Sequence, residues 1–350
     1  MTLLLNYRPV LRQPTGIGVY ANAVLPALQA LPHVLIPGGE QGTARQRLRR
    51  LAWSQLRLPQ RARQSGASLI FTPAPVGYLG PQVTPQVVMV HDLRPISHPD
   101  RSLQSLYFRR WVPPLLRQCR HIITNSAFTA GEIQRATGVS SERISVIPLG
   151  VDAERFRPKA SVSLELQARP YLLHVGQAYP HKNLGRLIEA FAAIANAEPE
   201  LQLVLAGKPH PSETPRLQAL VLERGLQQRV QFRPYVPTGE LPELLAGALA
   251  FVYPSLWEGF GLPVLEAMAA GTPVLTSLGS GTEEVAGDAA LLVDPWDQAA
   301  LAGALSDLVR QPQLRQELSR KGLERVRLFS WERTAQATRD VLGEILSALA

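Results

Sequence analysis

The sequence predicts an α/β protein built from two doubly wound parallel sheets. Three observations carry that reading. Short apolar runs recur along nearly the whole chain, with helical periods between them. Most of these runs are continuously apolar rather than alternating, as strands covered on both faces are. The pattern is broken once, at "PLGVDAERFRPKASVSLELQARP" (148–170), which has the prolines, charges and lack of period of an inter-domain linker. The 350 residues suit two domains.

Before the break the expected strands are 3–7, 68–72, 86–92, 121–126 and 143–150. After it they are 171–176, 201–207, 229–235, 249–255, 272–277 and 289–295. Helices fit between them. In "HKNLGRLIEAFAAIANA" (181–197), Leu184, Leu187, Ile188, Phe191 and Ile194 fall on one face. The last helix is expected from Trp331 to about Leu349, after a boundary at "LFSW". Two Rossmann-like domains, 1–160 and 166–330, would face a cleft at their carboxyl strand ends, where ligands of such sheets bind.

Composition narrows the function classes. Hydrophobic residues make up 45% and charged residues 18%, which excludes a disordered or coiled-coil chain. One cysteine, Cys119, leaves no disulfide framework and no multi-cysteine zinc site. The start lacks the features of a signal peptide, and no run of 18 uninterrupted apolar residues suggests a membrane span, so the reading places the protein in the cytoplasm. The net charge of +8 is split: 20 Lys+Arg against 7 Asp+Glu in residues 1–160, 16 against 21 thereafter. From Gln41 to His91 there is no acid, while Arg45, Arg47, Arg49, Arg50, Arg57, Arg61 and Arg63 are interleaved with Leu48, Leu51, Trp53, Leu56 and Leu58. Such a segment suits an anionic membrane surface; nucleic acid and a merely solvated face are the competing readings.

Five stretches carry chemistry. "LWEGFGLPVLEAMAAG" (256–271) follows an expected strand, and Pro263 stands where a helix begins. Glu258, Gly259, Phe260, Gly261 and Leu262 then form a strand-to-helix turn whose outward amides suit a phosphate or sugar oxygen. Glu258 lies at its rim and Glu266 about one turn inside the helix. Two such carboxylates could be an acid/base couple, a metal site, a sugar clamp or surface acids. Their spacing suits two ends of one elongated ligand better than a shared proton.

In "HVGQAYPHKNLGRL" (174–187) a strand ends at Gly176, and Lys182 comes just before a helix. In a chain with four lysines and 32 arginines, that ammonium is placed to neutralise a diphosphate leaving group. "PTGIGVYANAV" (14–24) reads as a short glycine loop, Gly16 and Gly18, ahead of a helix, without the full dinucleotide fingerprint. In "VMVHDLRP" (88–95), His91 and Asp92 end a buried-looking strand, where a histidine can donate to a substrate oxygen. "TNSAFTAGEI" (124–133) places Asn125 and Ser126 at another strand end; a helix cap at Ser126 or Thr129 is the competing reading. No Asp-x-Asp pair, P-loop or nucleophile elbow is present, so metal-free phosphate chemistry is expected.

Taken together these residues resemble the retaining glycosyltransferases of family 4, with the GT-B fold. "EGFGLPVLE" resembles the E-x7-E motif of that family. "VGQAYPHKNLGRLIEAF" resembles its phosphate-binding strand–loop–helix. "TGIGVYA", "VHDLRP", "ITNSAFTAGEI", "ISVIPLGVDAERFRP", "GTEEVAGDAALLVDPWD" and "FSWERTA" resemble its other blocks in the same order, over nearly the whole chain. The resemblance implies that Glu258 contacts the donor sugar and that Phe260, Gly261 and Leu262 present amides to sugar and diphosphate. It implies that Glu266 holds the ribose and Lys182 the diphosphate, with Gly176 and Gln177 in the same loop. His91 would sit near the transferred sugar, and Gly16 and Gly18 against the phosphates. Asp92, Asn125 and Ser126 become acceptor-side candidates. The C-terminal helix would cross back onto the first domain. One departure matters: Gln177 stands where many members have an arginine, which shifts charge neutralisation to Lys182 or to another arginine such as Arg186.

The closest likeness, through "TGIGVYA" and "VHDLRP", is to polysaccharide mannosyltransferases. The expected substrates are thus a nucleotide diphosphate sugar, GDP-mannose ahead of UDP-sugars, and a growing lipid-linked glycan. No cofactor, metal or nucleic acid is expected. A nucleotide-sugar epimerase or hydrolase on the same frame, a pyridoxal-dependent phosphorylase and a non-catalytic glycan-binding protein are the alternatives.

Overall fold

Every expected strand is present in the computed structural model, which describes residues 1–11, 16–38, 44–81, 83–99, 102–157, 169–237 and 239–350. Contacts group Met1–Gly150 with Phe329–Ala350 into one unit and Val151–Leu328 into a second. The first unit holds β1 (Thr2–Asn6), β2 (His33–Ile36), β3 (Ala67–Thr72), β4 (Gln86–Val90), β5 (His121–Thr124) and β6 (Ile144–Val146). They form one parallel sheet in the order β2-β1-β3-β4-β5-β6. The second unit holds β7 (Tyr171–Val175), β8 (Gln202–Ala206), β9 (Val230–Arg233), β10 (Ala250–Tyr253), β11 (Val274–Ser277) and β12 (Leu291–Val293). Their order is β12-β11-β10-β7-β8-β9, again with parallel pairings.

The continuous apolar runs have the cause expected of them. Residues 86–90 of β4 are all buried, as are residues 250–253 of β10, because helices cover both faces of each sheet. The helix Leu184–Ala195 buries Leu184, Leu187, Ile188, Phe191 and Ile194 against the core of the second sheet. The sequence gives no strand at 33–36, yet β2 is there. It is a four-residue edge strand, nowhere fully buried, and its apolar run is too short to stand out beside Pro32 and Pro37.

One boundary differs from expectation. The first unit ends at Gly150 rather than near 160, because the short helix Ala153–Phe156 packs against the helix Leu262–Ala269 of the second unit. Residues 158–168 of the expected linker lie outside the described residues. The C-terminal helix Trp331–Ser347 belongs to the first unit and packs along the helix Gly16–Leu28. Thr334 Oγ1 donates to the Pro148 carbonyl at 2.8 Å, and Tyr20 Oη lies 3.3 Å from Thr338 Oγ1. Gly150 lies against the backbone of Ser330 and Trp331, closer than any Cβ could approach.

In the second sheet the chain order reverses between β7 and β10, the switch point at which open α/β sheets bind ligands beyond the carboxyl strand ends. The loops that leave these two strands carry Lys182 and Glu258.

Candidate active site

Lys182 is set by a turn and a clamp. Beyond β7 the Gly176 amide donates to Ala206 O at 2.8 Å, and the chain makes a single 3₁₀ turn over Pro180–Lys182. Asn183 follows with φ 60°, a left-handed conformation that no other described non-glycine residue adopts. Its buried amide nitrogen donates to Pro254 O at 3.1 Å and to Pro295 O at 2.8 Å. The Leu256 amide donates to His181 O at 2.8 Å. These bonds tie the Lys182 turn to the end of β10, and the ammonium meets two partners there. Lys182 Nζ lies 2.5 Å from Glu258 Oε1 and 2.5 Å from the Tyr253 hydroxyl.

Glu258 opens the glycine bend. The Gly281 amide donates to Glu258 O at 2.8 Å. Gly261, at φ 127°, starts the helix Leu262–Ala269, with Pro263 at its second position. A Cβ on Gly261 would stand 2.9 Å from Thr282 Cγ2, so a bare backbone is needed both for the turn and for the packing. The first amides of that helix have no acceptor within it; Leu262 begins the helix, and Phe260 and Gly261 precede it.

The electrostatics follow from burial and pairing. The Lys182 and Glu258 side chains are only 12% and 15% exposed. Burial alone would lower the lysine, but the Glu258 carboxylate and the Tyr253 hydroxyl outweigh it and raise its pKa. Burial alone would lift Glu258, but the Lys182 charge outweighs it and holds the carboxyl below its usual range. Both groups are therefore ionised at neutral pH. His174, wholly buried behind them, is pushed down to about 4 by burial and by Lys182, and is neutral. Glu266 behaves oppositely. Burial raises it to about 7, with only partial relief from Arg155.

Arg186, the other arginine the sequence offered, is engaged within the protein. Its guanidinium donates to Asn183 Oδ1 at 2.9 Å and lies over the Trp296 ring, 5.1 Å from the centroid. Gln177 is half-buried, and its carbonyl accepts from the Tyr179 amide at 2.7 Å. A cavity of about 230 Å³ opens at the carboxyl ends of β7, β8 and β9, lined by His174, Gly176, Gly207, Thr214, Gln218 and Arg233 among others.

The candidates of the first unit have local roles. His91 Nε2 lies 3.1 Å from Pro73 O, and its ring meets Tyr20 edge to face at 5.2 Å. A carbonyl only accepts, so the Nε2 proton is spent there, and burial lowers the ring to about 4. The neutral ring then offers Nδ1 as an acceptor, where the sequence suggested a donor. Asp92 Oδ1 accepts from the Arg94 amide at 3.0 Å. Asn125 Nδ2 donates to His91 O at 3.0 Å, leaving Oδ1 buried and without a partner. Ser126 caps the helix Ala127–Thr137 by accepting from the Thr129 amide at 3.0 Å. Gly16 and Gly18 form no loop: they lie in the first turn of the helix Gly16–Leu28, Gly16 exposed and Gly18 buried. Pro14 and Thr15 lie outside the described residues.

Three residues of the site were not singled out from sequence: Tyr253, His174 and Asn183. Tyr253 and His174 end apolar runs and read as core. Only Asn183, beside Lys182 at a helix start, carried a signal, since asparagine tolerates positive φ.

Two doubly wound parallel sheets, the second with a part-buried Lys182–Glu258–Tyr253 cluster at its switch point, are the architecture of the GT-B glycosyltransferases. The family profile described as Glycosyltransferase Family 4 matches residues 14–155, and that described as Glycosyl transferases group 1 matches residues 157–325. The chain belongs to glycosyltransferase family 4. It is 33% identical over 232 residues to the O-antigen chain mannosyltransferase RfbU of Salmonella typhimurium, spanning 66% of this chain and 63% of that protein. It is 31% identical over 273 residues to the O-antigen chain mannosyltransferase B of Escherichia coli, spanning 75% and 71%. Among solved structures, a sucrose-phosphate synthase from Thermosynechococcus elongatus is similar with a TM-score of 0.81, covering 99% of this chain and 100% of that one. At 22% identity that likeness is one of fold.

Proposed function

We propose that this chain transfers mannose from GDP-mannose, with retention of anomeric configuration, to a hydroxyl of a growing lipid-linked glycan. The observation that carries the transferase reading is the Lys182–Tyr253–Glu258 cluster at the β7/β10 switch point. Mannose is supported by two relatives named as mannosyltransferases.

In this reading the second unit holds the donor. Lys182 and the amides at 260–262 take the diphosphate, Glu258 accepts from sugar hydroxyls, and Glu266 accepts from the ribose. The nucleoside base enters the cavity at the ends of β7, β8 and β9. The acceptor hydroxyl attacks the anomeric carbon on the face from which the diphosphate departs. The bond from that carbon to the phosphate oxygen breaks, and the hydroxyl proton passes to the leaving phosphate. Lys182 and the amides stabilise the charge that develops there, with no metal ion called on. Acceptor recognition is assigned to the first unit, with Asp92 and the Oδ1 of Asn125 as its polar groups, and the Nδ1 face of His91 is assigned to the transferred sugar.

The first unit also supplies a surface for an anionic bilayer. Arg49, Arg61 and Arg63 are exposed on the helices Ala44–Leu56 and Leu58–Gln64, and Arg57 is exposed between them. The side chains of Arg45 and Arg47 lie outside the described residues. Leu58 is buried, Trp53 lies under Arg8 and Leu56 is exposed, while the side chain of Leu48 lies outside the described residues. The helix Leu103–Arg110 adds apolar groups: Leu103 is 58%, Leu106 55% and Trp111 44% exposed, beside Arg109 and Arg110.

The test is donor turnover. GDP-mannose, UDP-glucose and ADP-glucose are offered in turn, with thermal stabilisation and slow donor hydrolysis as readouts. GDP-mannose alone should stabilise the protein and be hydrolysed, and Glu258→Ala and Lys182→Ala should each abolish hydrolysis. Stabilisation by a UDP- or ADP-sugar instead would correct the base. Full turnover by both variants would remove the site assignment.

A further inference from the structure

Lys182 has three N–H donors, and the structure shows where two of them go: to Glu258 Oε1 and to the Tyr253 hydroxyl. A lysine is a point charge on a long flexible stem, so its aim is set by what holds it. Glu258 cannot be the whole answer, because in the proposed reaction its carboxylate turns to the sugar. Tyr253 is the partner without another assignment.

Tyr253 is held as few surface tyrosines are. It ends β10 and is buried. Its ring is stacked on His174, with centroids 5.2 Å apart and planes 13° from parallel, and on Phe251 at 5.6 Å and 20°. His174, on the neighbouring β7, is itself fixed. Nδ1 lies 3.0 Å from Val252 O and must donate to it. The Nε2 atom then carries only a lone pair, is buried and has no partner. It faces the space beside Gly176 and the Lys182 stem: a Cβ on Gly176 would lie 3.3 Å from Nε2 and 3.8 Å from Lys182 Cε. An unsatisfied buried acceptor is costly, and a phenylalanine would fill the same space without it. What the imidazole adds is the strand-to-strand bond to Val252, which fixes the ring plane against Tyr253.

We propose that Tyr253 is the positioning residue for Lys182, and that His174 holds Tyr253 in place. The hydroxyl accepts one N–H and the ring limits the side on which the ammonium can stand, 4.7 Å from its centroid. The remaining N–H is thereby aimed at the distal phosphate of the donor. This rests on the reading of Lys182 as the diphosphate ligand.

The test compares nucleotides that differ only in the terminal phosphate. GDP and GMP, and UDP and UMP, are titrated calorimetrically into the native protein and into Tyr253→Phe, His174→Phe, His174→Ala and Lys182→Ala. Tyr253→Phe removes one oxygen and keeps the stack. It should weaken the diphosphate by about five- to tenfold and leave the monophosphate within about twofold. His174→Ala, which loosens the stack from the other side, should show the same selective loss. His174→Phe, which keeps a stacked ring but loses the bond to Val252, should show a smaller loss of the diphosphate with the monophosphate unchanged. An unchanged diphosphate preference in Tyr253→Phe overturns the proposal. So does an equal loss of both nucleotides in Tyr253→Phe and His174→Ala, which is what general loosening produces. Native affinity for both nucleotides in His174→Phe and in His174→Ala would overturn the role given to His174. Lys182→Ala separates the two levels: if it keeps the diphosphate preference, the donor-site reading itself fails. If Lys182→Ala loses that preference and Tyr253→Phe does not, only this inference fails.

Discussion

Removing either member of the Lys182–Glu258 pair leaves the other's charge in a site that water scarcely reaches. Lys182→Met should cost about 3 kcal/mol in urea unfolding at neutral pH, chiefly because Glu258 remains charged and unpaired. Lys182→Met combined with Glu258→Gln should cost less than the sum of the two single changes. Additive losses would show that the pair is not coupled. Glu266 makes a second prediction of opposite sign. Burial raises its folded pKa to about 7, above the 4.5 of an unburied carboxyl. Its contribution to stability is therefore present below that lower value and is lost as pH rises through about 7. Glu266→Gln should flatten the fall of unfolding free energy across that window. If the ionised carboxylate accepts from the ribose, nucleotide affinity should rise through the same window in the native protein and not in the variant. A pH-independent affinity in the native protein would remove Glu266 from the donor site. Lys182 and Glu258 were legible in the sequence because each breaks its surroundings, one as a rare lysine, the other beside a glycine bend. Tyr253 and His174 were not, because an aromatic or imidazole ring ending a buried strand reads as core until its polar atoms are placed.

At the level of elements, the bend and the clamp that carry these residues depend on two backbone conformations. Gly261→Ala meets both a strained φ and Thr282, so it should destabilise by about 1–3 kcal/mol and weaken donor binding. Asn183→Gly keeps the left-handed φ and loses the two bonds to Pro254 and Pro295; Asn183→Ala loses the bonds and strains the φ. The alanine variant should therefore be the less stable by about 1 kcal/mol in the same urea experiment. Equal stabilities would mean that the conformation there is not strained for other residues. The strands were readable because parallel strands buried on both faces leave unbroken apolar runs, as in β4 and β10. The short edge strand β2 left no such run, and "TGIG" suggested a loop where the chain already coils into a helix at Gly16. Glycines mark permission, and two of them do not say which permitted conformation the chain adopts.

Across the whole molecule the largest asymmetry is charge. Residues 1–160 carry 20 basic against 7 acidic groups, and the remainder 16 against 21. A positive first unit next to an anionic bilayer gains electrostatically, and exposed apolar groups beside the charges add a component that salt does not screen. The two components are separable by experiment. The native protein should sediment with vesicles containing phosphatidylglycerol and not with pure phosphatidylcholine, and added salt should weaken binding strongly but incompletely. Arg49→Glu, Arg57→Glu and Arg61→Glu together should remove most of the binding at low salt. Leu106→Ser with Trp111→Ser should leave low-salt binding largely intact and remove the salt-resistant remainder. Circular dichroism and donor-nucleotide titration would confirm that both variants stay folded with a working second unit. Binding of the triple arginine variant at the native level, or equal binding of the native protein to neutral vesicles, would show that the charge of the first unit serves something other than a membrane. In that case the lipid-linked form of the acceptor would lose its support, while the donor-site reading, which rests on the second unit alone, would stand.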